Sequence, residues 1–347
     1  MKLKFLLLSF ISILSSNNWI IMTTINPPNL AAEKLSKCKG WTLLVVGDKK
    51  TPTDWDNFPC IYLGPEEQEK ENFKINQFIP WNNYCRKNIG YLYAIKHGAK
   101  VIYETDDDTF IYNNDLNFEE NLQATELKND DFCLNVFNYF GCETSWPRGY
   151  PLSKIKNTNQ YSESKSKSYC CPIQSSLVDN DPDVDAIYRL TNKGAVNFEK
   201  NKTVVLEKGT MCPFNTQNTF IHYKAFWSLL IPLSCSYRAT DIWRGFWAQR
   251  LLWEMNCRLC FTSPIAYQLR NEHNFLEDFK QELSIYLQAE SLIKELNNWK
   301  PKEKELPKKI IELTKFMVEK DFLTDLDNKF VEAWIEDLKN LGYSFPQ

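Results

Sequence analysis

Short apolar runs that end at polar or turn residues recur along the first third of the chain. Residues 41–47 form one run that ends at Gly47, residues 60–63 form a second, and residues 100–104 form a third that leads directly into three aspartates. Runs of four to eight apolar residues bounded by turn residues are typical of buried strands. The pattern therefore predicts three strands in this part of the chain.

A helix is predicted between the second and the third of these strands. Asn82 or Asn83 can cap it, apolar residues recur at helical spacing as far as Ile95, and Gly98 supplies a stop signal. A second helix is predicted over residues 241–255. Strands that alternate with helices indicate an α/β domain with a mainly parallel sheet.

The end of the chain has a different pattern. From residue 276 onward, helical periodicity alternates with runs of Lys and Glu and is broken near Pro301 and Pro307. Proline ends or kinks a helix, so this pattern predicts several short helices. We expect residues 276–347 to form a helical appendage to the α/β domain.

The N-terminus is typical of a secretory signal. Lys2 and Lys4 precede an apolar run over residues 5–14, and small polar residues follow. We expect residues 1–18 to be a cleaved signal peptide; the alternative is an uncleaved anchor that continues through residues 19–22. Spanning a membrane needs about 20 mostly apolar residues, and the polar residues before Trp19 interrupt the run. Both interpretations place the rest in the secretory lumen, with membrane contact only through such an anchor.

Cysteine usage agrees with that compartment. The chain has 11 cysteines, so disulfides are plausible and at least one thiol stays unpaired, although the sequence does not reveal the pairing. Cys257 and Cys260 have C-x-x-C spacing, but no second pair stands at zinc-finger spacing, which favours core thiols or disulfide partners over a metal site. Asn201 lies in an N-glycosylation sequon, which adds support for a luminal location.

Charge excludes one class of partner. The 347 residues carry 41 Lys and Arg against 44 Asp and Glu, a net charge of -3. Proteins that bind nucleic acids normally have a basic excess, so we expect no nucleic-acid partner. The chain has only 3 His, scattered along its length, which argues against a histidine-rich zinc site.

The acidic residues after the third predicted strand are the strongest chemical signal. Asp106, Asp107 and Asp108 are adjacent, so their charges repel unless a cation lies among them. Ligands of open α/β sheets bind at the carboxyl ends of strands. Mn²⁺ and Mg²⁺ prefer carboxylate oxygens and bridge them to phosphates. We therefore predict that Asp106 and Asp108 bind Mn²⁺ or Mg²⁺ against a nucleotide-sugar diphosphate, Asp106 also contacting the nucleotide; the alternative is a solvated acidic turn.

Two further residues are candidates for nucleotide binding. Asp48 follows the first predicted strand, and Arg86 lies in the first turn of the predicted helix, where a cation can contact phosphate or ribose. Lys87 is its neighbour, and we interpret it as ordinary surface charge.

The acceptor side is predicted from the second half of the chain. Asp183, Asp185 and Arg189 could bind sugar hydroxyls or form a structural ion pair. Asp241 starts a helix rich in aromatic residues, where it could accept a proton from an acceptor hydroxyl or simply cap the helix. Arg244, in the same helix, is assigned with the first three to sugar or acceptor binding.

Together these stretches resemble a known family. The blocks occur in one order along the chain and comprise residues 40–48, 50–55, 61–64, 86–95, 97–102, 105–108, 183–191, 209–215, 225–227 and 244–254. They resemble the STELLO family of plant Golgi proteins and its nematode relatives, which look like GT-A glycosyltransferases. The family is distantly similar to the reversibly glycosylated polypeptides, the plant UDP-arabinopyranose mutases.

The resemblance implies a GT-A-like, Rossmann-like domain over residues 38–275. Its first half, 38–130, would bind the nucleotide sugar and the metal, and its second half, 131–275, the acceptor. Asp106 and Asp108 match the metal-binding Asp-x-Asp, although the plant motif is closer to Asp-x-Asp-Asp-Arg. Asp241 falls where the mutase-like relatives carry an acid before an aromatic-rich helix.

The resemblance implies a metal-dependent glycosyltransferase in the lumen of the Golgi or endoplasmic reticulum, or a secreted one. It would transfer a sugar from a nucleotide sugar, expected to be a UDP-sugar, to a glycan or protein. Two alternatives remain. One is a nucleotide-sugar mutase, which needs the same donor site but no acceptor. The other is a non-catalytic scaffold that assists assembly of a glycan-synthesising complex, against which the intact Asp106 and Asp108 argue.

Overall fold

The computed structural model describes residues 16–129, 131–156 and 161–347, and twelve strands within them pair into one sheet. The strands are β1 (Asn18–Thr23), β2 (Trp41–Val46), β3 (Ile61–Leu63), β4 (Val101–Asp106), β5 (Thr109–Ile111), β6 (Asn121–Lys128), β7 (Ser162–Glu163), β8 (Lys167–Cys170), β9 (Ile173–Asp179), β10 (Thr203–Leu206), β11 (Asn218–His222) and β12 (Leu259–Gln268). Their order is β3-β2-β1-β4-β11-β9-β12-β10-β6-β7, with β5 paired to β12 and β8 to β6.

Helices cover this sheet and continue beyond it. They are α1 (Leu30–Ser36), α2 (Pro65–Lys70), α3 (Lys87–Lys96), α4 (Val136–Tyr139), α5 (Ala186–Thr191), α6 (Thr240–Leu252), α7 (Phe275–Gln281), α8 (Leu283–Asn298), α9 (Leu306–Glu319) and α10 (Asp325–Asn340). Short 3-10 turns lead into α3 and follow α6. The predicted α/β fold with a C-terminal helical appendage is confirmed.

The sheet is mixed. Strands β3, β2, β1 and β4 run parallel to one another, whereas β11 pairs antiparallel with both β4 and β9. The three strands predicted from apolar runs correspond to β2, β3 and β4. The predicted helix before β4 is also present, as a 3-10 turn over Tyr84–Arg86 that continues into α3, and Gly98 follows it at φ 88°.

Strand β1 is the most deeply buried part of the parallel half. Trp19, Ile20, Ile21 and Met22 are fully buried between β2 and β4. Trp19 and Ile21 pack into the core on one face of the sheet, and Ile20 and Met22 into the core on the other. A strand that is covered on both faces has no polar alternation, which is why it is a continuous apolar run.

This strand bears on the N-terminal predictions. Residues 1–15 of the expected signal peptide 1–18 lie outside the described residues, but an anchor that continued through residues 19–22 is wrong, because those residues are strand β1. The sheet also starts before the expected domain boundary at residue 38. None of the helices in the described ranges combines the length and apolar composition that a membrane crossing requires.

The strand order creates a crevice at one edge of the sheet. The chain passes from β1 to β2 and β3 on one side and then returns to form β4 on the other side of β1. Loops from the carboxyl ends of β1 and β4 therefore diverge, and such a switch point is where open α/β sheets bind ligands. Thr23 and Asp106 are paired at the ends of these two strands.

Candidate active site

A cavity of about 440 Å³ opens at this switch point. Its walls come from the segments after β1, β2 and β4, the start of the turn before α3, the residues around the start of α6, and the segment after β12. The fold therefore brings five predicted residues together at the cavity. They are Asp48, Arg86, Asp106, Asp108 and Asp241.

The three adjacent aspartates have different surroundings. The Asp107 carboxylate accepts hydrogen bonds from Thr24 Oγ1 (2.5 Å) and Asn26 Nδ2 (2.8 Å), and thereby fastens the turn after β4 to the loop after β1. Asp108 accepts a longer hydrogen bond from the backbone N–H of Asn271 (3.4 Å). The middle aspartate is thus committed to holding the turn, and Asp106 and Asp108 are the two available to a ligand.

Lys87 lies directly behind Asp106. Its ammonium is fully buried, 3.5 Å from Asp106 Oδ1, and it donates hydrogen bonds to the Tyr84 hydroxyl (3.0 Å) and the Thr105 carbonyl (2.9 Å). The Tyr84 hydroxyl in turn donates to Asp106 Oδ1 (3.2 Å). The interpretation of Lys87 as surface charge is therefore wrong. It occupies the first position of α3, which faces the carboxyl end of β4, and nothing in the local sequence reveals that burial.

The electrostatics of the two aspartates suit a cation. Burial raises the pKa of Asp106 to about 7; the Lys87 ammonium opposes this rise, and the neighbouring carboxylates add to it. Burial also raises the pKa of Asp108. A third of the Asp106 side chain is still accessible from the cavity (34%). Two neighbouring carboxylates repel each other, and a positive ion between them would stabilise their ionised forms.

Asp106 and Asp108 would supply two carboxylates to a divalent cation at this position. The described residues contain no cluster of three or more His, Cys, Asp and Glu side chains placed to hold a metal ion. Mg²⁺ is commonly bound by one or two carboxylates together with water and substrate phosphates. The donor set of Asp106 and Asp108 fits that type of site.

Arg148 joins two of the predicted acids. Its guanidinium donates to both oxygens of Asp183 (2.8 and 2.7 Å) and to both oxygens of Asp241 (3.0 and 2.9 Å). Burial alone would raise the pKa of the Asp183 carboxyl, but Arg148 outweighs it and holds that pKa well below its usual range. Asp241 is thus a cavity carboxylate fixed in orientation by a buried arginine that the sequence did not identify.

Asp241 is not the helix cap that the alternative interpretation expected. The cap residue of α6 is Ala239, and Asp241 lies within the first turn of the helix. Its Oδ1 also accepts the backbone N–H of Ile242 (3.1 Å). Asp241 is therefore not the N-cap residue, although one of its oxygens accepts an N–H of the first turn.

None of the four residues assigned to sugar or acceptor binding lines this cavity, and Asp183 reaches it only through Arg148. Asp185 caps α5 by accepting the Tyr188 N–H (2.8 Å). Arg189 pairs with Asp181 through a hydrogen bond. Arg244 forms an ion pair with Glu104 in which both side chains are fully buried. These contacts indicate that Asp185, Arg189 and Arg244 stabilise the fold. Asp183 is bound to Arg148, which also binds Asp241.

The two nucleotide-site candidates are part of a local framework. Arg86 stacks on Trp81, with 3.7 Å from its guanidinium carbon to the ring centroid, and donates from Nε to Gln68 (2.9 Å). Burial lowers the pKa of Arg86 to about 10. Asp48 accepts the N–H of Asn83 (3.1 Å), which links the end of β2 to the start of the turn before α3.

Two arginines line the cavity from the C-terminal half. They are Arg238 and Arg270, and His273 lines the same cavity. Arg270 donates from Nε to Asp181 (3.0 Å), and His273 Nδ1 lies 3.1 Å from an oxygen of Asp278. Sequence reasoning missed Arg270 and His273 because only the pairing of β12 with β9 and β5 brings their segment to the cavity.

The predicted glycosylation site does not belong to the cavity. Asn201 is exposed in a turn before β10 and has a positive φ of 60°, a conformation that asparagine tolerates. Its side chain is accessible to a modifying enzyme.

Comparison with known proteins gives consistent matches. Residues 238–347 match the family model described as STELLO glycosyltransferases. Over 96% of its length, the chain is 32% identical to "Probable glycosyltransferase STELLO2" and 31% identical to "Probable glycosyltransferase STELLO1", both from Arabidopsis thaliana. The alignments cover 46% and 45% of those proteins, so the chain spans about half the length of the curated relatives it matches.

Proposed function

We propose that this STELLO-like chain is a glycosyltransferase that moves a sugar from a nucleotide sugar to a glycan or protein acceptor. The finer proposal is that the donor is a UDP-sugar and that the reaction requires Mn²⁺ or Mg²⁺. The observation that carries it is the position of Asp106 and Asp108, at the end of β4 in a cavity that also has cationic walls.

The donor would bind with its diphosphate between these groups. A divalent cation held by Asp106 and Asp108 would neutralise charge that develops on the leaving diphosphate. Lys87 supports Asp106 from behind. Arg86 and Lys50 line the same cavity, and guanidinium and ammonium groups form strong hydrogen bonds to phosphate oxygens.

Asp241 is the proposed residue for the acceptor. Its Oδ1 accepts from both Arg148 and the Ile242 N–H, whereas Oδ2 accepts from Arg148 and has an acceptor position left for a further hydrogen bond. An acceptor hydroxyl placed there would be oriented by Asp241 and could pass its proton to the carboxylate. Asp183 contributes indirectly, because it shares the Arg148 guanidinium.

The proposed location is the secretory lumen. The basic and apolar N-terminus of the sequence and the exposed Asn201 support it. Expression in a secretory host should attach a glycan to Asn201, which glycosidase treatment removes and which Asn201→Gln lacks. A cytosolic C-terminal reporter would contradict the location without touching the activity.

The deciding experiment compares Asp108→Asn with Asp115→Asn, an exposed aspartate outside the cavity. Calorimetry should show that Asp108→Asn alone binds UDP with Mn²⁺ at least tenfold more weakly. Changing a residue that only supports a metal ligand typically costs about tenfold in metal affinity, so losing a ligand should cost at least as much. Release of sugar from a panel of UDP-sugars should fall in parallel. Normal binding by Asp108→Asn would refute the metal site.

The same assay separates the two alternatives. A mutase would convert the ring form of the bound sugar without any acceptor, and product analysis would detect this. A scaffold would bind UDP-sugar with Mn²⁺ but release no sugar from any donor in the presence of acceptor.

A further inference from the structure

Two distant cysteines meet beside the sheet. Cys170 ends β8, and Cys257 precedes β12, 87 residues later. Their Sγ atoms lie 3.2 Å apart, and the N–H of Arg258 donates to the Cys170 carbonyl (3.0 Å). The backbone contact shows that the fold holds the two segments together, so the meeting of the thiols does not depend on side-chain rotation alone.

A cation stands next to one of the two sulfurs. The Lys224 ammonium lies 3.4 Å from Cys170 Sγ and 3.3 Å from Glu120 Oε1. Cys170 is half-buried, whereas Cys257 is almost fully buried (1% exposed). A reagent from solution therefore reaches Cys170 first, and Cys257 is placed behind it.

The acid–base properties of the pair are asymmetric. The hydrogen bond with Cys257 lowers the pKa of Cys170 to about 7; burial opposes the shift, and the Lys224 ammonium supports it. The pKa of Cys257 is raised by the same hydrogen bond and by burial. Since the thiolate is the nucleophile of thiol chemistry, Cys170 is the more reactive partner at neutral pH.

We propose that Cys170 and Cys257 form a disulfide, with Cys170 as the attacking thiolate and a small-molecule or protein disulfide as the oxidant. The Cys170 thiolate attacks one sulfur of the oxidant and displaces the other as a thiolate. Cys257 then loses its proton and attacks the Cys170 sulfur, which releases the second thiol of the oxidant. Two protein thiols are oxidised, and one external disulfide is reduced to two thiols.

The bond would fasten an edge of the sheet. Within the described residues, β8 pairs with β6 alone, whereas β12 lies inside the sheet between β9 and β10. A cross-link from Cys170 to Cys257 closes a long loop, and constraining such a loop in the unfolded chain stabilises the folded state. Neither sulfur lines the cavity, so the proposal does not depend on the proposed function.

Other cysteines supply internal controls. Cys171 and Cys260 are fully buried, and burial holds the pKa of Cys260 well above its usual value. Cys60 is half-buried like Cys170, but burial raises its pKa to about 12. Cys60 therefore tests whether partial exposure alone gives reactivity.

The experiment uses the reduced full chain with oxidised glutathione at pH 7. Peptide mapping without reductant should find Cys170 linked to Cys257 before any other pair, and the melting temperature should rise by about 5 °C. Cys257→Ser should instead retain glutathione on Cys170. A map in which Cys170 carries glutathione in the unmodified chain, or stays reduced, would overturn the proposal.

A second measurement tests the role of Lys224. Iodoacetamide should modify Cys170 with a pH midpoint near 7, and Lys224→Gln should raise that midpoint and slow the reaction at pH 7 several-fold, whereas Lys224→Arg should restore it. A Cys170 midpoint as high as that of Cys60, or one that Lys224→Gln leaves unchanged, would show that the ammonium does not activate the thiol.

Discussion

The buried pair between Arg244 and Glu104 allows a decisive test of one residue assignment. The two side chains are fully buried and joined by two hydrogen bonds, of 2.5 and 2.9 Å, and the Tyr91 hydroxyl donates a third to Glu104 (2.5 Å). Glu104 lies in β4, two residues before Asp106. If Arg244 is structural, Arg244→Met should reduce stability rather than remove a sugar contact.

The magnitude follows from the geometry. Two unit charges about 2.9 Å apart attract by about 6 kcal/mol at an effective dielectric constant of 20. Part of that attraction only offsets the cost of burying the charges, and breaking a buried pair costs about 3 to 5 kcal/mol in free energy of unfolding. For a chain of 347 residues, we expect the melting temperature of Arg244→Met to fall by about 4 to 7 °C.

Urea unfolding of a small set of variants measures this. Glu104→Leu combined with Arg244→Met removes both charges and should recover most of the lost free energy. Lys294→Met breaks an exposed pair with Glu290 and should leave the melting temperature unchanged. An Arg244→Met variant that keeps its stability but loses sugar transfer would contradict the structural role, because Arg244 would then act on substrate.

Three more variants test the roles assigned to Lys87, Asp241 and Asp185. Lys87→Met removes the cation behind Asp106, and calorimetry should show Mn²⁺-dependent UDP binding weakened about tenfold. Unchanged affinity would show that Lys87 does not support the metal ligand. Asp241→Asn should bind UDP normally but release sugar about 10² to 10⁴ times more slowly, and full activity would leave it only a partner of Arg148. Burial raises the pKa of Asp185 to about 6. Between about pH 4 and pH 6 the folded state therefore keeps a proton that the unfolded state has lost. The free energy of unfolding should fall as pH rises through this range. Asp185→Asn, which can still cap α5, should reduce this fall by about 2 to 3 kcal/mol in urea titrations; an equal fall in both proteins would assign it to other groups.

Local patterns predicted those parts of the fold that local sequence determines. Strand β2 and the helix before β4 were found because each has its own apolar period and its own stop signal at Gly47 or Gly98. Strand β1 was missed because its four apolar residues follow the apolar run 5–14 after only four polar residues, so they were interpreted only as the continuation of an N-terminal anchor.

The site divides in the same way. Asp48 and Asp106 were found because each follows an apolar strand, and the carboxyl ends of strands are where ligands bind. Arg148 was missed because its partners Asp183 and Asp241 are 35 and 93 residues away in sequence. The local sequence around a buried, paired arginine can be the same as that around a solvated one. The sequence near Arg148 therefore does not reveal its pairing.

The C-terminal helices are part of the same packing unit as the cavity. Trp334 in α10 donates its Nε1–H to the carbonyl of Trp227 (3.1 Å), and the Asp337 carboxylate accepts the backbone N–H groups of Lys74 (2.8 Å) and Ile75 (3.0 Å). These contacts bind α10 to both halves of the α/β domain, and one hydrophobic core includes residues of all three parts.

This packing explains why the segment matched by the family model does not hold a complete site. That segment, residues 238–347, supplies Arg238, Asp241 and His273 to the cavity, whereas Asp106 and Asp108 come from the parallel half of the sheet. The acids and the C-terminal cationic wall therefore meet only when β4 and β12 are joined through β11 and β9. Because Asp241 is also held by Arg148 from outside the matched segment, an isolated fragment of residues 238–347 would lack both the proposed metal ligands and the group that orients its own carboxylate.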